Sequence, residues 1–380
     1  GLVEHYSSGH AGKYHLTNDF IHVIFPDETG NIWLGTRDGI YIFDKRTSSF
    51  VRFNTFFPDS KLPDLTNTRI FMITRSRDGN YWIATQQGLF RLSADKRDAL
   101  IFSAESSRKY RIGSNLVYCV REDHLGYIWI ATINGLDVFD PAKEKMTHFR
   151  KTGNKNSLCD NFVISLCEDQ HGDMWIGTGA FVNKFVRKDS TFLYFDRDDG
   201  LSNNNIFEIL RDRENTMWFA TGGGLSRYDT ASGRFRTYGV DDGLQSAEFN
   251  LRACYEAPDG EIFFGGMNGF NSFYPGRMGD NPFIPEMVVT LCYTPVQGIN
   301  VALPVSSEGV LVIDHKSKDF TIEFVALEYT IPERNHYAYM LEGVSSEWIH
   351  IGTRRFVSFS GLSPGEYLFR VKGTNNDGQW

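Results

Sequence analysis

The chain has 380 residues, a net charge of −8, 41% apolar and 23% charged side chains. This composition describes an ordinary folded protein without a disordered tail, and the acidic balance argues against a nucleic-acid or anionic-membrane surface. No stretch resembles a signal peptide, and no apolar run approaches the roughly 18 residues of a membrane span, which leaves a cytosolic protein or part of a longer exported one.

The opening, Gly1-Leu2-Val3-Glu4-His5-Tyr6, has the Gly-apolar form of a strand start that recurs in five of the six later units. The first full unit reads as four short strands. Ile21-His22-Val23-Ile24-Phe25 runs into the turn Asp27-Glu28-Thr29-Gly30-Asn31. Ile32–Thr36 follows, then 40–43 and 50–53. Gly recurs in these turns because tight hairpins need positive φ.

The phrase Ile32-Trp33-Leu34-Gly35-Thr36 returns around Trp82, Trp129, Trp175 and Trp218, and in eroded form around Phe263, at steps of 49, 47, 46, 43 and 45 residues. Twelve positions before each anchor stands an aliphatic residue (Ile21, Ile70, Val117, Val163, Ile206, Leu251), and six after it stands Gly39, Gly88, Gly135, Gly224 or Gly269. Four antiparallel strands at this period are a propeller blade, and radial packing buries what one blade cannot. One Trp per blade at a fixed offset belongs between neighbouring sheets rather than on a sugar platform. The expected fold is therefore all-β: a β-propeller over 1–281, with six complete four-stranded blades and the tail of a seventh at Gly1–Tyr6.

After Phe273-Tyr274-Pro275 the repeat stops, and Pro282 to Pro285 reads as a linker. Alternating segments at 287–293, 310–313, 320–326, 337–342, 356–360 and 367–373 predict an immunoglobulin-like β-sandwich over 282–380.

Chemical motifs are weak throughout. Cys119, Cys159, Cys167, Cys254 and Cys292 form no CxxC pair and read as small hydrophobes. Gly222-Gly223-Gly224 lacks the helix and Lys of a phosphate loop. Asp196-Arg197-Asp198-Asp199-Gly200 lacks the late Glu of a calcium loop, and the histidines show no HExxH. No catalytic residue, metal or cofactor is nominated.

Candidate ligand contacts come from loops. The Asp-x-x-Gly turns on one face are uniform and read as turn chemistry. The hairpin and inter-blade loops of the opposite face vary, and recognition usually lives on varied loops over a rigid scaffold. They supply Arg37, Asp38, Arg69, Gln86, Gln87, Asn134, Phe181, Asn183, Asn203, Asn204 and Asn268. Phe181 stands where other units carry Gly, so its loop must take another path. The competing reading of the Asn and Asp residues is local hydrogen bonding to their own turns.

The blade phrase Asp-x-x-Gly-x-x-Trp-x-Gly-Thr-x-x-Gly-Leu resembles the two-component regulator propeller repeat. Tyr337-Ala338-Tyr339-Met340-Leu341-Glu342-Gly343 with Trp348, and Leu362 to Val371 closing on Asn375, Asp377, Gly378 and Trp380, resemble the Y_Y_Y domain. In this order they are similar to the periplasmic sensor region of hybrid two-component systems. That resemblance implies the second of two propellers plus most of a Y_Y_Y domain. It also implies a parent carrying a membrane helix, histidine kinase, receiver and DNA-binding domain, with this chain itself non-catalytic. It further implies an oligosaccharide ligand from glycan breakdown, a homodimer through the Y_Y_Y region, no nucleic acid at this region, and membrane attachment only through other segments of the parent. Two alternatives remain open from the residues: a propeller lyase or glycosidase acting on glycans, and a structural relay whose ligand binds the other propeller.

Overall fold

A computed structural model describes every residue except 1–4, 9–15, 155, 231–232, 280 and 315–318. The chain divides into two compact units, Gly1–Arg277 and Met278–Trp380. The division falls before the 281/282 boundary read from sequence because Asn281 is bound into the second unit. Its backbone N–H donates to Asp377 Oδ2 at 2.6 Å, and its carboxamide to Asn376 Oδ1 at 2.8 Å.

The first unit is a run of β-meanders. In the first blade, Ile21–Pro26, Ile32–Thr36, Gly39–Asp44 and Ser49–Arg52 pair antiparallel in chain order, and a one-turn helix, Phe53–Phe56, follows. The next four blades repeat the four-stranded order. The sixth has three strands among the described residues, Phe249–Glu256, Ile262–Gly266 and Gly269–Phe273. Tyr274-Pro275 then begins a short 3-10 turn where a fourth strand was expected, and Pro275 has no N–H for a ladder.

The first strand of each blade is innermost. Ile21–Pro26, Ile70–Arg75, Val117–Glu122, Val163–Glu168, Ile206–Arg211 and Phe249–Glu256 pack against one another in succession around an axis. The five repeat tryptophans are at most 2% exposed and lie in the layers between blades. The indole N–H groups of Trp33, Trp129, Trp175 and Trp218 donate to Asp27, Asp123, Asp169 and Asp212 at 2.8–3.0 Å. In the second blade Ser76 takes this place for Trp82. Each such Asp also accepts backbone N–H groups of its own turn, so one carboxylate shapes the turn and satisfies the buried indole.

Of the reading of Gly1–Tyr6 as a seventh-blade tail, Gly1–Glu4 lies outside the described residues. Tyr6 packs edge-on to Phe43 and Phe50, on the face of the first blade turned away from the second. Phe20, Ile21 and Ile24 at the start of the run are exposed, as are Leu251, Tyr255, Met267 and Phe270 at its end.

The second unit packs two sheets. One orders Ile299–Ala302, Met287–Val296, Asp319–Ala326 and Phe356–Ser360; the other orders Ile349–Gly352, Tyr337–Glu342 and Leu368–Gly373. Phe324 and Tyr337 are 1% exposed and centre its core. The segment expected as a strand at 310–313 makes only an isolated bridge, Val305 to Leu311. The strands Ile299–Ala302 and Ile349–Gly352 went unread because four residues carry too little alternation.

Candidate ligand site in the propeller axis

Each inner strand runs from the variable loop face to the Asp-x-x-Gly turn face, so the axis has two distinct ends. At the loop end the residue that follows the aligned aliphatic position carries an aromatic ring in the first three blades. His22, Phe71 and Tyr118 hold this position. Ring centroids step from His22 to Phe71 at 6.0 Å, from Phe71 to Tyr118 at 5.0 Å, and from Tyr118 to Phe162 at 5.2 Å. The result is an aromatic arc across four consecutive blades.

Two guanidinium groups lie on this arc. Arg37 stacks over Phe20 at 4.6 Å and Arg69 over Phe71 at 5.7 Å, and neither has a carboxylate partner among the described residues. Burial lowers the His22 pKa, and the positive charges of Arg69, Arg37 and Arg252 lower it further. His22 is therefore held neutral, with a buried Nε2 that has no hydrogen-bond partner among the described residues.

Below the arc the axis narrows. Phe249–Glu256 carries a bulge, and Arg252 adopts φ 61° there. Its guanidinium crosses from the sixth blade to donate to the Tyr118 carbonyl of the third. Glu208 is 6% exposed beside it, and burial pushes its carboxyl pKa up against the opposing pull of Arg252. Beyond this constriction, at the turn end, lies a cavity of about 390 Å³ lined from the third to the sixth blades. Arg121, Cys167, Arg211 and Cys254 are among its walls.

The residues nominated from sequence separate clearly. Arg37 and Arg69 come together at the arc. Asp38 is committed elsewhere, paired with Arg52 at 2.6 Å and accepting the Asn67 N–H at 2.8 Å. Gln86, Asn134 and Asn268 are exposed and clasp the preceding inter-blade loop through the carbonyls of Asn67, Gly113 and Gln245. Gln87 is exposed beside Gln86. Asn203 accepts the Asn205 N–H and Asn204 the Arg197 N–H, which is turn bonding.

Asn183 is not available to a ligand. It is 0% exposed, its oxygen accepts the Cys159 N–H at 3.0 Å, and its amide donates to Cys159 Sγ. Asp137, Ser226 and Asn271 hold the equivalent loops in other blades, accepting from Gly113, Ser202 and Gln245. Phe181 is half-buried, and its loop does take another path. Thr178 bonds the Phe181 carbonyl as other blades bond Gly, but Phe181 has no positive φ, and the strand ladder ends at Gly177–Val182.

The arc and Arg252 escaped the sequence reading. Their signal lay beside the aligned aliphatic residues: His22, Phe71 and Tyr118 follow Ile21, Ile70 and Val117 directly, whereas Phe162 precedes Val163.

Residues 15–38, 111–134, 157–180 and 200–223 match the two component regulator propeller, and residues 328–380 match the Y_Y_Y domain. The chain carries two-component regulator propeller repeats followed by a Y_Y_Y domain. It is similar to the extracellular domain of BT3049 from B. thetaiotaomicron, described as a hybrid two component system. That similarity has 25% identity and a TM-score of 0.83, over 97% of this chain and 49% of that one. The extracellular domain of BT4673 from the same organism shares the fold, at 21% identity and a TM-score of 0.55, over 96% of this chain and 49% of that one. Histidine kinase P4 of Formosa agariphila is 24% identical over 413 residues, covering 94% of this chain and 24% of that protein. The chain thus spans about half of its structural relatives and about a quarter of the curated one. No helix among the described residues is long and apolar enough to cross a membrane.

Proposed function

We propose that this chain is the periplasmic ligand-sensing and relay region of a hybrid two-component histidine kinase, non-catalytic in itself, and that its ligand is an oligosaccharide seated at the loop end of the propeller axis. The arc His22–Phe71–Tyr118–Phe162 supports this reading most directly. Aromatic faces accept the apolar face of a sugar ring, and Arg37 and Arg69 offer donors not already spent on carboxylates. The ligand would act by binding one arrangement of the parent better than another, and a homodimer through the Y_Y_Y unit would carry that preference onward.

Calorimetry against a panel of defined oligosaccharides tests the site. A saturable hit without product formation, weakened at least tenfold by Phe71→Ala or Arg69→Ala, is expected. Turnover of the glycan would replace the sensor with an enzyme. A flat panel from a cooperatively melting chain would move ligand binding to another part of the parent and leave this one a relay.

A further inference from the structure

We infer that the turn-end cavity of the propeller axis is a second binding site, specific for a tetrahedral or planar oxyanion, either inorganic or carried on an acidic sugar. At about 390 Å³ it has room for such a group with its waters.

The charge at its walls decides the sign. Three carboxylates stand on the rim, and each is already taken by the turn of the preceding blade. Glu122 accepts the Arg77 N–H at 2.7 Å and pairs with its guanidinium at 3.2 Å. Glu168 accepts the His124 N–H at 2.9 Å and meets its ring at 2.5 Å. Glu256 accepts the Arg213 N–H at 3.2 Å and pairs with Arg213 Nε at 3.3 Å.

Arg121 and Arg211 are different. Both line the cavity, neither has a carboxylate partner among the described residues, and Arg121 Nε is buried without any hydrogen-bond partner there. Cys167 and Cys254 cannot serve as counter-ions, because burial pushes both thiols up and keeps them protonated. Glu208 behind them is pushed up by the same cause. A buried guanidinium with an open donor is costly, and a bidentate oxyanion is the partner its planar fork fits best.

The test is calorimetry on the whole chain with sulfate and phosphate, against chloride at equal ionic strength, and separately with glucuronate and galacturonate against glucose. Saturable binding of an oxyanion is expected, with no response to glucose. Arg211→Gln should weaken it at least tenfold, and since Arg211 is exposed this variant should melt like the parent chain. Arg121→Gln should abolish it. Uronates binding tenfold tighter than sulfate or phosphate would assign the oxyanion to a sugar, and the reverse order to an inorganic ion. No binding of any oxyanion, or binding unchanged in both variants, would overturn the inference. None of these outcomes depends on the aromatic end of the axis.

Discussion

Arg187 of the fourth blade donates from Nη2 to Asp123 Oδ2 of the third at 2.7 Å, onto the same carboxylate oxygen that accepts the Trp129 indole N–H at 2.8 Å. One buried carboxylate therefore closes its own turn, satisfies a core indole and joins two blades. The residue is 1% exposed, so nothing from solvent can replace it.

Removing that carboxylate should be among the most damaging single changes in the propeller. Asp123→Ala strands a buried indole N–H and leaves Arg187 unpaired, a loss of about 3–5 kcal/mol. Asp123→Asn keeps an acceptor for the indole and should cost less. Scanning calorimetry of the two variants checks the order.

Asn183 and Gln87 were nominated alike from sequence, and they should behave oppositely. Asn183→Ala frees the Cys159 loop and leaves buried groups unsatisfied, costing about 1–3 kcal/mol. Gln87→Ala on an exposed hairpin should stay within about 0.5 kcal/mol of the parent chain. Equal melting temperatures for the two would contradict the latch role of Asn183.

Glu28 supplies an acid-sensitive contact between the first two blades. Partial burial opposes its ionisation, but hydrogen bonds from Lys96 at 2.8 Å and from Tyr81 override it and hold the carboxyl at about 2. The folded-state value lies below the unfolded one of 4.5, so the contribution is full above that pH and is lost as pH falls toward and through 2. Glu28→Gln should lower stability at neutral pH and flatten the acid limb of melting temperature against pH between 5 and 2. A limb of unchanged slope would remove Glu28 from the account.

In the second unit, Phe324 packs between Tyr337 and Phe369, with ring centroids at 5.7 and 6.1 Å. Phe324→Ala should cost about 3–5 kcal/mol through the lost burial and the cavity left behind. Tryptic digestion should then release the second unit first, leaving the propeller resistant.

The repeat was legible because its signals are local. Trp at a fixed step, Gly where a hairpin needs positive φ, and Asp six positions before Trp all act within one blade, so most copies carry the same residues, with Ser76 and Phe181 as departures in the second and fourth. Even the eroded sixth copy is coherent: Phe263 has lost the indole N–H, and Ala257 has lost its acceptor with it. The candidate site was harder to read. Asn183 and Asn204 look identical as loop amides, and only their burial and partners separate a blade latch from a turn cap. The long alternating strands of the second unit were also readable, whereas Ile349–Gly352 gains strand identity only by pairing with Tyr337–Glu342.

By itself the sequence determined the repeating blade, the buried Trp layer and the order of propeller and sandwich, because period and turn chemistry are properties of neighbouring residues. Only the tertiary structure decided which side chains share the axis. His22, Phe71, Tyr118 and Phe162 are separated by tens of residues in the chain, yet stand in ring contact once blades pack radially. Arg121 and Arg211 likewise face one cavity with no carboxylate left for them, because radial packing hands each rim glutamate to a neighbouring blade.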